Sequence, residues 1–411
     1  MSNATDEYRR NHYVPQWYQK RFIPSAQVDQ ELYYLDLRPD RFTDPRGVTH
    51  LKRNPRRQGF RRCFVERDLY TAMIGGIEST DVETLFFGDV DRDGRNAVEY
   101  FANFEHPWDG TNLFHALTAY MTVQKLRTPK GLAWLEASSG TNDKNAVLRA
   151  MIGLQQLYCT IWAECVWLIA DASESATKFI ISDHPVTVYN RRCGPRSAWC
   201  RGDNDPDIRY HGTHTIFPLS MDKVLLLTNL SWVRNPYQRE TDYRPHPNFY
   251  HETLLNILDV QTLRHLSEDE VREINFIIKQ RARRYVAAGR EEWLYPEKYV
   301  SKSEWARFGQ GYLLMPDPRA VMYGTQTIVG FKDGTSKSLD AYGRQPGQEG
   351  YDGDRKTVGS DWTAFHRFQG EFASLFGPRR RGRAFHMTHL DNEYDTEDYH
   401  KYHLSLLKKG K

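Results

Sequence analysis

A run of helical patterns that gives way abruptly to short strands constrains the fold of this 411-residue chain most. Apolar residues recur at helical spacing from Asp81 to Phe104, from Thr111 to Ala137 with a break at Pro129, and from Asn142 to Ala170. The period then shortens. Lys178 to Ile181 and Pro185 to Tyr189 read as strands, as do Thr213 to Pro218 and Lys223 to Thr228, the last two joined by the turn Leu219-Ser220-Met221-Asp222. Glu31 to Leu37 reads as an earlier strand, and Lys52 to Arg62, with Pro55 and Gly59, as a loop. Ser267 and Glu270 form a capping box for a helix expected to reach Ala288 and stop at Gly289. Helices in one block and strands in another predict an α+β fold, a helical core packed with a small, mostly antiparallel sheet.

Residues 8–313 are expected to form this main domain. Residues 314–411 read as a Gly/Pro-rich C-terminal extension. It holds a hairpin from Thr327 to Phe331, across Asp333-Gly334, to a strand near Leu339, and a helix from about Asp361. With 39% hydrophobic residues the chain can bury a core. The 56 basic and 53 acidic residues nearly cancel to +3, so attraction to a polyanion has to be local. Two basic clusters stand out: Lys52, Arg53, Arg56, Arg57, Arg61 and Arg62, and the C-terminal Arg379, Arg380, Arg381 and Arg383. Five cysteines, an odd number, and a polar N-terminus without an apolar leader predict a reducing, cytoplasmic setting. The most apolar stretch, Cys159 to Ala170, is too short for a membrane span, contains Glu164 and reads as buried helix.

Two segments concentrate chemistry. His12-Tyr13-Val14-Pro15-Gln16-Trp17-Tyr18-Gln19-Lys20-Arg21-Phe22 packs an imidazole, four aromatics, a proline and two cations into a short helix start. His12 can serve there as acid, base or metal ligand, and Arg21 can pair with an anion. The alternative is a helix docked by Trp17, Tyr18 and Phe22. Ser182-Asp183-His184 sits between apolar strand residues, where Asp183 can bind a metal or orient a base. The alternative is a turn in which Asp183 satisfies nearby backbone N–H groups. Weaker patterns are the calcium-loop-like Asp89 to Gly94, a zinc-like scatter of Cys193, Cys200, His211 and His214, and the tail pairs His386/His389 and His400/His403. The chain has no phosphate loop, dinucleotide fingerprint, nucleophile elbow, His-Glu-x-x-His or Cys-x-x-Cys.

His12-Tyr13-Val14-Pro15 with Tyr18 and Arg21-Phe22, Ile181-Ser182-Asp183-His184-Pro185-Val186, Phe217-Pro218-Leu219-Ser220, and Asn275 followed by Ala282-Arg283-Arg284-Tyr285 occur in this order. Together they resemble a bacterial family known as domain of unknown function 4238. His184 stands where that family usually has an Asn-like residue. The resemblance implies a cytoplasmic protein of a kind often found beside mobile or defence-related genes, and so nucleic acid or nucleotide substrates.

The leading expectation is therefore a hydrolase, for instance a nuclease, acting on nucleic acid or nucleotide phosphates in antiviral defence. His12 would be base or ligand, Asp183 metal ligand or base orienter, Ser182 its support, Glu83 a further carboxylate and Arg21 a phosphate clamp, with a hard divalent metal held by Asp183 and His12. The alternative is a non-enzymatic nucleic-acid-binding module in which Arg56 and Arg57 hold phosphates and exposed aromatics stack on bases. A third reading is an interaction component of a larger assembly, with the C-terminal extension as docking arm.

Overall fold

The computed structural model describes residues 10–52, 54–67, 69–70, 72–74, 77–79, 87–105, 111–200, 205–244, 260–301, 305–321, 326–340, 344–348, 351, 358–384 and 395–409. Strand β1 (Arg10–His12) leads through Pro15 into the short helix α1 (Gln16–Gln19) and the 3-10 turn Lys20–Phe22. Tyr18 and Phe22 are fully buried. Tyr18 stacks on Phe217 at 5.5 Å between ring centroids, and its hydroxyl donates to the Pro218 carbonyl. The aromatic segment is thus an anchor as well as a motif.

Next come β2 (Glu31–Asp36), the exposed hairpin β3 (Arg41–Thr43) and β4 (Thr49–Leu51), β5 (Arg56–Gly59), the 3-10 turn Phe60–Arg62, and β6 (Val65–Arg67), which pairs with β1. The basic stretch expected as a loop therefore contains a strand. β5 pairs antiparallel with β2, Arg56 opposite Tyr34 and Arg57 opposite Tyr33. Charged side chains suit such a sheet edge, since they discourage further pairing. A small hairpin, β7 (Ala72–Ile74) and β8 (Ile77–Ser79), precedes the helices.

The helices are α2 (Gly88–Ala102), α3 (Thr111–Leu126), α4 (Pro129–Ser139) and α5 (Lys144–Ala163). The calcium-loop-like Asp89 to Gly94 is part of α2. Its glycine serves packing, because a Cβ on Gly94 would lie 2.5 Å from the Tyr120 ring of α3. The break at Pro129 is real. Thr128 caps α4, its hydroxyl oxygen accepting from the Gly131 N–H at 3.1 Å. The long pattern from Asn142 to Ala170 divides, since α5 ends at Ala163 and the apolar remainder is a strand, β9 (Cys165–Asp171), buried at every position. An apolar run covered on both faces loses the alternation that marks a strand, so periodicity alone reads it as more helix.

Then follow β10 (Ile181–Ser182), β11 (Thr187–Tyr189), β12 (His214–Pro218), β13 (Lys223–Asn229), the short α6 (Leu230–Arg234), β14 (Val260–His265), α7 (Glu268–Arg281), β15 (Tyr285–Ala288) and α8 (Trp305–Gln310). The C-terminal elements are the hairpin β16 (Gln326–Gly330) and β17 (Ser336–Asp340), then α9 (Val358–Phe376), β18 (Arg383–Ala384) and α10 (Glu397–Lys409).

One sheet runs β11-β12-β13-β9-β14-β18 and another β10-β15-β2-β5. Among the described pairs only β14 with β9 is parallel. The expected α+β architecture, helices with mostly antiparallel sheets, is what the structure has. β9 shows how the layers stack. Trp167 faces α2 and α3, with Phe101 at 5.4 Å and Phe114 at 5.2 Å. Its neighbour Val166 packs on the opposite side with Leu230, Phe368 and Phe372. Helix α9 thus covers the second face of the sheet, and β18 adds to its edge through Gln261 opposite Ala384. No helix among the described residues is long and apolar enough to cross a membrane.

Candidate functional site

Asp183 is 3% exposed and lies directly after β10. One carboxylate oxygen accepts from the Arg283 N–H at 2.9 Å. The other accepts from the N–H groups of Arg284 at 2.6 Å and Tyr285 at 2.8 Å. Its own N–H donates to the Tyr285 carbonyl at 2.9 Å. Burial pushes the carboxyl pKa up, and the three backbone donors oppose that shift. This clamp explains why α7 stops at Arg281 rather than Ala288. Three successive N–H groups point at one carboxylate, a geometry that no continuing helix allows. Ser182 supports the turn, its hydroxyl oxygen accepting from the His184 N–H at 3.2 Å.

Residues 142–292 match the family described as "Protein of unknown function (DUF4238)". No curated protein and no solved structure gives a match. The DUF4238 segment thus contains α5, the central strand β9, the Asp183 clamp and the capped helix α7. The N-terminal motif lies outside it but packs against it. Tyr13 is buried close enough to Asp183 for that carboxylate to help push its hydroxyl pKa up, after burial and Tyr34. Tyr34 in turn stacks on Tyr285 at 4.9 Å. The two motifs therefore meet through tyrosines.

His12 is not among the hydrogen-bond donors to Asp183; it is half-buried in β1, with Gln16 Nε2 3.5 Å from its Nε2. Arg21 lies elsewhere again, donating to the Leu219 carbonyl at 2.6 Å and pairing with Glu99. Glu83 lies outside the described residues, as do His386 and His389. Among the described residues no three His, Cys, Asp or Glu side chains gather as a metal site. His211 instead contacts the Arg239 carbonyl at 2.8 Å, and His214 the Thr228 hydroxyl at 3.0 Å.

Beneath the Ser182–His184 turn is a buried polar cluster that sequence reasoning missed. Lys125 Nζ donates to Asp205 at 3.1 Å, and Lys130 Nζ to the same carboxylate at 2.6 Å and to the Arg281 carbonyl at 2.8 Å. His184 Nε2 lies 3.1 Å from Asp205, and its Nδ1 2.8 Å from the Thr128 hydroxyl. Burial, with Lys125 beside it, lowers the His184 pKa to about 3, so the ring is neutral. Burial alone would raise the Asp205 pKa, but the two ammonium groups hold it well below the usual carboxylate range. The cluster ties α3 and α4 to the strand segment. Lys125 and Lys130 are remote in sequence from Asp205 and form no motif with it, so only His184 and the break at Pro129 were legible beforehand.

The open site is elsewhere. A cleft of about 1250 Å³ runs along α1, the edge strand β5 and the 3-10 turn after it. Lys20, Arg56, Arg57, Arg61 and Arg62 line it, against Glu31 and Glu291. Arg57 is committed, 2.5 Å from Asp29 and stacked over Tyr33 at 5.2 Å. Lys20, Arg56 and Arg62 make no ion pair among the described residues. Lys20 hangs 5.9 Å from the Phe60 ring. Arg56, the expected phosphate ligand, is one of the lining residues. Phe60 is buried there, and Arg57 covers a face of Tyr33.

Proposed function

We propose that the chain binds nucleic acid through the backbone phosphates, in the cleft between α1 and β5. One observation carries this reading: Lys20, Arg56 and Arg62, from three different elements, face one cleft with no carboxylate partner among the described residues. Uncompensated cations repel one another, and a groove that gathers them favours a polyanion that displaces counterions on binding. Their spread over separate elements suits successive phosphates better than a single nucleotide. The covered Tyr33 and the buried Phe60 leave no aromatic platform for a base, so binding is expected to be indifferent to sequence. The alternative hydrolase reading needs His12, Asp183 and Arg21 in one cleft. Asp183 is occupied by three main-chain N–H groups and Arg21 by the Leu219 carbonyl and Glu99, which favours binding over catalysis.

The test is binding of a fluorescent oligonucleotide to the full chain and to Arg56→Ala and Arg62→Ala. Each loss should weaken binding about three- to tenfold at moderate salt, equally for unrelated sequences, since each removes roughly one phosphate contact. Unchanged binding in the double variant would place the nucleic-acid site elsewhere. A loss confined to one sequence would replace backbone reading with base reading.

A further inference from the structure

A second pocket, sharing no residue with the basic cleft, lies in the DUF4238 segment's contact with the preceding helices. It holds about 300 Å³, at the small end of the range usual for ligand sites. Its apolar floor comes from Leu132 and Ala133 of α4, Val147 and Leu148 of α5, and Leu69 and Tyr70. The Tyr70 hydroxyl is turned away, donating to the Arg127 carbonyl at 2.8 Å, so its ring is what the floor gains.

The rim carries both signs of charge: Arg283, Arg67 and Lys144 against Glu66 and Glu136. Arg283, Glu66 and Glu136 form no salt bridge with one another or with any other described residue. Opposite charges around one small pocket normally close into ion pairs if they can reach. Arg283 stays apart from Glu66 and Glu136, over a hydrophobic floor. Arg283 is also held from two sides. Its main-chain N–H is fixed by Asp183 at 2.9 Å, and its guanidinium donates to the Pro129 carbonyl at the pocket's edge. A cation anchored at both ends, without a counter-ion, is preorganised for a ligand's anionic group.

We infer that this pocket binds a small zwitterion with an apolar body, of the chemistry of a free aliphatic amino acid. Its carboxylate meets Arg283, its ammonium a rim glutamate, and its side chain the Leu132–Leu148 floor. The glutamates exclude ligands with a second negative charge. Asp183 is the positioning residue that aims Arg283. This inference is independent of the nucleic-acid reading.

Three matched probes test it by calorimetry on the full chain: L-leucine, 4-methylpentanoate, which lacks the ammonium, and 3-methylbutylamine, which lacks the carboxylate. Leucine should bind with a millimolar or tighter Kd, as its size allows, and each half-charged analogue about tenfold more weakly. Arg283→Ala should lower leucine affinity to the amine's level without changing the amine's own binding, and Arg283→Lys should restore part of it. Glu66→Gln with Glu136→Gln should do the converse for the carboxylate. Equal binding of leucine and 4-methylpentanoate overturns the zwitterion assignment. So does an absence of saturable leucine binding up to roughly 20 mM, or unchanged leucine binding in a folded Arg283→Ala protein.

Discussion

Asp183 shows what one buried carboxylate can do when its lone pairs are spent on main chain. It ends α7, starts β15, and sets Arg283 and Arg284 on their courses, the second to Asp36 at 2.9 Å. Asp183→Asn keeps the shape but turns an amide nitrogen toward backbone donors. It should cost on the order of 3 kcal/mol, read as a lower midpoint in urea, since hydrogen bonds to a charged acceptor are the strong ones and unpaired buried donors are penalised. An unchanged midpoint would mean that the turn stands without the clamp. His184 and His214 carry a pH signature. Both are buried with pKa values lowered to about 3, so the folded chain holds them neutral while the unfolded chain protonates them near 6.5. Their contribution is fully present above about pH 6.5 and is lost as pH falls toward 3, because the unfolded state then binds more protons. Stability should decline over that window by up to about 1.4 kcal/mol per pH unit for each histidine, and His214→Gln should flatten the slope in thermal scans at stepped pH. A slope unaffected by that change would contradict the burial argument.

At the scale of elements, the sequence was readable where local signals and packing agree. The Ser267–Glu270 box, the break at Pro129 and the β12–β13 hairpin stand where cap, proline and turn chemistry put them. It misled where tertiary structure decides. Cys165–Asp171 shares its apolar run with the end of α5, and only the sheet it joins makes it a strand. Arg56–Gly59 has no strand propensity worth naming, yet β2 recruits it. The Asp89–Gly94 segment resembles a metal loop in spelling alone, and its glycine marks a helix crossing. Gly94→Ala should destabilise by about 1–2 kcal/mol, since the clash with Tyr120 outweighs the better helix propensity of alanine. A raised melting temperature would show that Tyr120 yields easily. The candidate site was half legible for the same reason. Arg56 and Asp183 were singled out by type and context, whereas Lys125, Lys130 and Asp205 come together only in the fold.

For the whole molecule, the sheet with α2 and α3 on one face and α9 on the other makes the C-terminal part a structural layer, with Phe368 and Phe372 fully buried. The near-neutral chain then presents its basic groups locally, which is why +3 overall is compatible with the proposed polyanion groove. The salt dependence of oligonucleotide affinity tests this account most directly. With Lys20, Arg56 and Arg62 as the phosphate contacts, log Kobs against log salt should fall with a slope of about −2 to −3, becoming shallower by roughly one unit in Arg56→Ala. A flat response, or a slope that Arg56→Ala and Arg62→Ala leave untouched, would contradict it.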